Sequence, residues 1–90
     1  MNTEITKRVF AIVRNHLPAD SFATAFDSDT ELQTLGLDSL AVAGVIVSLE
    51  ETFGLRFPSQ RITRQTFESV RTICAAIEDL VVAASAASQP

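Results

Sequence analysis

Apolar residues recur at helical spacing in three stretches of this 90-residue chain. Ile5, Val9, Ile12, Val13 and Leu17 fall three and four positions apart, which predicts an amphipathic helix from about Thr3 to Leu17. Thr3 reads as its N-cap, Glu4 suits its first turn, and Pro18 stops it. A second helix is predicted from about Ser39 to Phe53, with Asp38 as N-cap and Gly54 at its end. A last helix is predicted from about Phe67 to Val82, capped by Thr66. Its core face is Phe67, Val70, Cys74, Ile77 and Val81, with Ile73 and Leu80 flanking. No stretch alternates polar and apolar residues as a strand would, so the fold class is all-α.

Between the first two helices lies a long connection, from Pro18 to about Leu37. A loop of that length is uncommon in a compact domain unless it has a task. Phe22, Phe26, Leu32, Leu35 and Leu37 give it apolar anchors. Asp27-Ser28-Asp29-Thr30 reads as a turn, and Glu31 to Leu35 has room for a short helical turn. Pro58 opens another short segment, to about Gln65, that can hold a turn of helix. Residues 83–90 lack large apolar groups, so the expectation is one domain over 1–82 followed by a frayed, flexible tail.

The second helix carries more apolar surface than one core contact requires. Val42, Val45, Ile46, Leu49 and Phe53 form a face wide enough for the core. Leu40, Gly44, Val47 and Glu51 follow one another on a different side, with Ala43 beside them. The plainer reading is that both faces are buried, the second under the long loop. The functional reading is an exposed apolar strip beside acidic groups, suited to transient docking.

Composition narrows the field. Apolar residues make up 47% of the chain with no Trp or Tyr, so Phe, Leu, Ile and Val must fill the core. The single Cys cannot form an internal disulfide, and nothing at the N-terminus resembles a signal segment. No run is long and apolar enough to insert in a membrane, and a cytoplasmic monomer is expected. Net charge is −4, but its distribution says more. From Arg14 to Arg56 no Lys or Arg intervenes, while Asp20, Asp27, Asp29, Glu31, Asp38, Glu50 and Glu51 do. That acidic middle disfavours nucleic acid and favours partners with basic surfaces. Arg56, Arg61, Arg64 and Arg71 then follow, opposed only by Glu68.

Leu35-Gly36-Leu37-Asp38-Ser39-Leu40 puts a hydroxyl at the start of the second helix. Gly36 lets the chain turn there. The positive end of the helix dipole favours a phosphate on Ser39, offset in part by Asp38. Ser39 is not read as a catalytic nucleophile. The one histidine, His16, sits near the end of the first helix, and the Gly-x-Ser-x-Gly elbow is absent. His16 reads as a complement to that helix's dipole and Cys74 as a small buried hydrophobe. One His and one Cys so far apart define no metal site.

That serine segment is followed by Leu49-Glu50-Glu51-Thr52-Phe53-Gly54, then Phe57-Pro58, then Thr66-Phe67. In order and spacing the series resembles the acyl carrier protein family, over roughly Thr3 to Val82. The resemblance implies a four-helix bundle of acyl-carrier type, with a short third helix and a long loop between helices one and two. It implies that Ser39 is the attachment serine for 4′-phosphopantetheine, taken from coenzyme A by a phosphopantetheinyl transferase, with Asp38 helping that enzyme hold magnesium. The protein would not itself be an enzyme. It would carry acyl intermediates as thioesters for fatty-acid, specialised lipid or polyketide synthesis, for Leu37 before Asp38 is similar to those carriers rather than to peptidyl ones. Leu40, Ala43, Val47, Glu50 and Glu51 match positions that dock on acyl-transfer and synthase enzymes with basic patches. Val45, Ile46, Leu49, Phe53, Ile62, Phe67 and Ile77 are the matching acyl-cavity residues, though most would serve as plain core in any case. Ala41 and Gly44 stand where the family often has acids, and Ser59-Gln60-Arg61-Ile62-Thr63-Arg64 replaces a usually acidic segment. Both changes point to a specialised carrier. The competing reading is a small helical protein-interaction adaptor without a prosthetic group.

Overall fold

The computed structural model describes residues 3–17 and 26–87, with side chains through 82. Three α-helices and two short 3₁₀ turns make up the described residues, which contain no strand. Helix α1 spans Thr3–Asn15, α2 spans Ser39–Phe53 and α3 spans Val70–Ala87. The 3₁₀ turns are Leu32–Leu35 and Ser59–Arg61. The expected short third helix is therefore only the Ser59–Arg61 turn, and the described bundle has three α-helices rather than four. Pro18 and Phe22, expected to end α1 and anchor the connection, lie outside the described residues, as do 88–90.

The core forms where the three apolar stripes meet. Val9 and Val13 of α1, Val45 and Leu49 of α2, and Val70, Ile73, Cys74 and Ile77 of α3 are fully buried. Helix α1 packs against both of the others. Ile73 is thus a central core residue rather than a flank, and Val81, expected on the core face, is exposed. The backbone of α3 also stays helical past Val82, to Ala87. Ala-rich sequence has high helix propensity, which extends a helix where no apolar packing demands it.

The start of α3 differs from expectation as well. Thr66 does not cap it. Its N–H donates to Thr63 Oγ1 at 3.2 Å within a separate turn. The cap is Ser69. Its Oγ accepts from Thr72 N at 3.3 Å while its own N–H donates to Thr72 Oγ1 at 3.0 Å. This is the reciprocal arrangement of a capping box, with Thr in place of Glu.

The end of the long connection is held to α3 rather than left as a free loop. Asp29 receives two bonds from the Arg71 guanidinium, at 2.7 and 3.0 Å. Arg71 N–H donates to Ser28 O at 2.9 Å and Leu32 N–H to Glu68 O at 2.8 Å. Leu32 and Leu37 are buried, and Phe26 stacks obliquely on Phe10 with ring centres 5.4 Å apart. Gly36 then turns the chain in the left-handed region, at φ 97°, and delivers it to the start of α2.

Candidate functional site

Asp38 and Ser39 open α2. The Asp38 backbone is extended, and its carboxylate accepts from Ala41 N–H at 2.9 Å, which satisfies one of the free amides of the helix end. Ser39 is exposed, and its hydroxyl makes no hydrogen bond among the described residues. It belongs to the lining of a cleft of about 650 Å³ between the first half of α2, with the chain just before it, and residues 62–67. That volume falls in the range of small-molecule sites. Val42, Ala43 and Ile46 form one wall, and Ile62 and Phe67 stand across from them. Its polar members are Gln33, Asp38, Ser39, Thr63 and Arg64.

Of the seven expected cavity residues, Ile46, Ile62 and Phe67 line this cleft. Val45, Leu49 and Ile77 do not, being fully enclosed in the core. Phe53 packs half-buried against the core and is not on the cleft. Val42 and Arg64 line it without having been expected there. The signal for Val42 was present, since positions 39, 42, 43 and 46 lie on one face of a helix that starts at the serine. Arg64 had no such signal, because it reaches the cleft across a turn.

The docking residues are less uniform than their spacing implied. Leu40 is 83% and Val47 54% exposed, so the second face of α2 is open rather than covered. Ala43 and Glu51 are exposed beside them. Gly44 belongs elsewhere, because the His16 ring lies over it. A Cβ at position 44 would stand 2.7 Å from His16 Cδ2 and 2.8 Å from Nε2. His16 is fixed there through Nδ1, which lies 2.9 Å from Ile12 O and donates to it. Glu50 is half-buried, and its Oε2 accepts from Phe57 N–H at 2.9 Å, tying the segment after α2 back onto the helix.

Nothing among the described residues equips Ser39 to act on a substrate. No histidine, lysine or carboxylate is hydrogen-bonded to it, and no cluster of His, Cys, Asp or Glu could hold a metal. The Ser39 hydroxyl is thus accessible and unactivated, beside a cleft. The family described as "Phosphopantetheine attachment site" matches residues 8–77. "Aminoacyl carrier protein 1" of Bradyrhizobium diazoefficiens is 26% identical over 72 residues, 80% of each chain. The chain belongs to the phosphopantetheine-bearing acyl carrier protein family. Its cofactor is covalent 4′-phosphopantetheine, and carriers of this family are not themselves enzymes. No helix among the described residues is long and apolar enough to cross a membrane.

Proposed function

We propose that Ser39 is the attachment point and that the chain carries acyl groups as thioesters for enzymes of fatty-acid, specialised lipid or polyketide synthesis. The observation that carries this reading is the exposed Ser39 at the head of α2, among the residues that line the cleft. In the loading step the Ser39 oxygen forms a phosphoester bond while the bond from phosphorus to the bisphosphoadenosine of coenzyme A breaks. The hydroxyl proton passes to a base of the transferase, since none of the described residues is hydrogen-bonded to that hydroxyl. The bound arm supplies the thiol that holds the acyl group. The residues present fit such an arm. Free amides at the helix start favour the phosphate, and the apolar walls of Val42, Ile46, Ile62 and Phe67 suit alkyl cargo.

Partners would dock on Leu40, Ala43, Val47 and Glu51. Glu50 serves chiefly to hold Phe57 in place. Few acids flank Ser39, and Arg61 and Arg64 occupy the segment after Pro58, which supports a carrier with its own partner set. Replacing a housekeeping carrier in bulk fatty-acid synthesis at full efficiency would count against that specialisation.

The test of the attachment is mass spectrometry after incubation with coenzyme A and a broad-specificity phosphopantetheinyl transferase. The intact chain is expected to gain one phosphopantetheine, and Ser39→Ala to gain none while keeping its helical circular dichroism. Modification of Ser39→Ala, or none of the parent chain under conditions that modify a control carrier, would refute the assignment. A second reading, aminoacyl cargo, is favoured by the name of the Bradyrhizobium relative. Loading the holo chain in parallel with a fatty-acyl and an aminoacyl ligase separates the two.

A further inference from the structure

The three arginines after Pro58 are differently employed. Arg61 pairs with Asp79 at 3.3 Å and Arg71 with Asp29, so both tie segments to other parts of the fold. Arg64 has no carboxylate partner among the described residues, yet it lines the cleft that Ser39 opens onto. Arg64 is the cation of that cleft, and Asp38 is its anion. A phosphodiester on Ser39 would add a second negative charge next to Asp38. The helix start offsets only part of this, and an arm so placed would be pushed toward solvent. A guanidinium across the cleft supplies the missing counter-charge, in a geometry that suits phosphate oxygens.

We infer that Arg64 is a positioning residue that pairs with the phosphodiester of the arm and draws it along the Ile62 and Phe67 wall of the cleft. This rests on attachment at Ser39. It gives a role to a basic residue where the family resemblance leads one to expect an acid. It also makes stowage of the arm depend on salt, because an exposed ion pair is screened.

Holo protein is prepared as the parent chain, Arg64→Gln and Arg64→Lys, and peptide mass mapping first locates the arm. An arm mapped away from Ser39 overturns the attachment itself; an arm on Ser39 in all three leaves the Arg64 inference to be judged alone. Phosphorus-31 spectra and proton contacts from the arm to Ile62 and Phe67 are then recorded from low to high salt. In the parent chain the phosphorus shift should move with salt and the contacts should weaken. In Arg64→Gln the shift should move less with salt than in the parent chain, with the stowed-to-free ratio down about two- to fivefold, the range of an exposed ion pair. Arg64→Lys should restore part of both. Arg64 is exposed and its side chain bonds to none of the described residues, so amide spectra of the apo forms should superimpose away from position 64. A phosphorus shift and arm contacts identical in the parent chain and Arg64→Gln would overturn the inference, as would loss of both in Arg64→Lys as complete as in Arg64→Gln.

Discussion

Gly44 shows how one residue joins two helices. In an isolated helix its replacement by Ala would be favourable by about 0.5–1 kcal/mol. Here the added methyl meets the His16 ring, whose escape requires breaking the bond from Nδ1 to Ile12 O. Losing that bond costs about 0.5–1.5 kcal/mol, and crowding a packed contact about 1–3 kcal/mol. Gly44→Ala is therefore expected to destabilise the parent chain, and to stabilise a His16→Ala background by about 0.5–1 kcal/mol. Urea denaturation of the four proteins of that cycle checks it, and the same sign in both backgrounds would contradict the contact. Cys74 is a second case. Burial pushes its thiol above the usual range, with a weaker opposing contact from Thr6 at 3.8 Å. It stays protonated at neutral pH and is shielded. In the holo protein a thiol reagent should react at once with the arm and with Cys74 only as fast as the chain opens. Two rapid equivalents in the folded state would show that burial to be wrong.

At the level of elements, the segments between helices are as specified as the helices. Asp27 Oδ1 accepts from Asp29 N–H at 2.9 Å and from the Thr30 hydroxyl at 3.0 Å. These bonds, the Thr30 hydroxyl foremost, hold the Asp27 carboxyl below its ordinary pKa. A depressed carboxyl contributes stability above its unfolded pKa and loses it as pH falls through the folded value. The turn should thus keep its form through mild acid and open only below the ordinary aspartate range. Thr30→Val should raise the Asp27 pKa toward that of a free aspartate in a carbon-13 carboxyl titration; an unchanged midpoint would remove the hydroxyl as the cause. The turn places Asp29 against Arg71 and so presents Leu32 to the core. From there Gly36 delivers Ser39 to the cleft. Site placement is in this sense a product of the connection as much as of α2.

For the whole molecule, the question is which surfaces are left for partners. Leu40 and Val47 stand in solvent on a face that the fold does not use. Val47→Asp is expected to change the unfolding midpoint little, since exposed substitutions usually stay within about 0.5 kcal/mol. It should nevertheless lower the rate at which the transferase modifies the chain. A large loss of stability would mean that the face is covered in solution, and unchanged modification that this partner docks elsewhere.

Local information was enough for α2. Asp38 as cap, Gly54 as terminator and the 39–53 span are set by residues in contact along the chain, so the sequence alone determined them, along with the all-helical class and the exposed start at Ser39. The Ser69–Thr72 cap was equally local, but Thr66 offered the same chemistry three residues earlier, and only the engagement of Thr66 with Thr63 settled between them. What tertiary structure alone decided were the relations across the fold. They include His16 over Gly44, Glu50 turned inward to Phe57, and the division of apolar residues between sealed core and open cleft. Val45 and Ile46 are neighbours of the same chemistry, both β-branched and aliphatic. One is enclosed and the other lines the cleft because a helix turns about 100° per residue, and only the packing of α1 and residues 62–67 around it determines what each side meets.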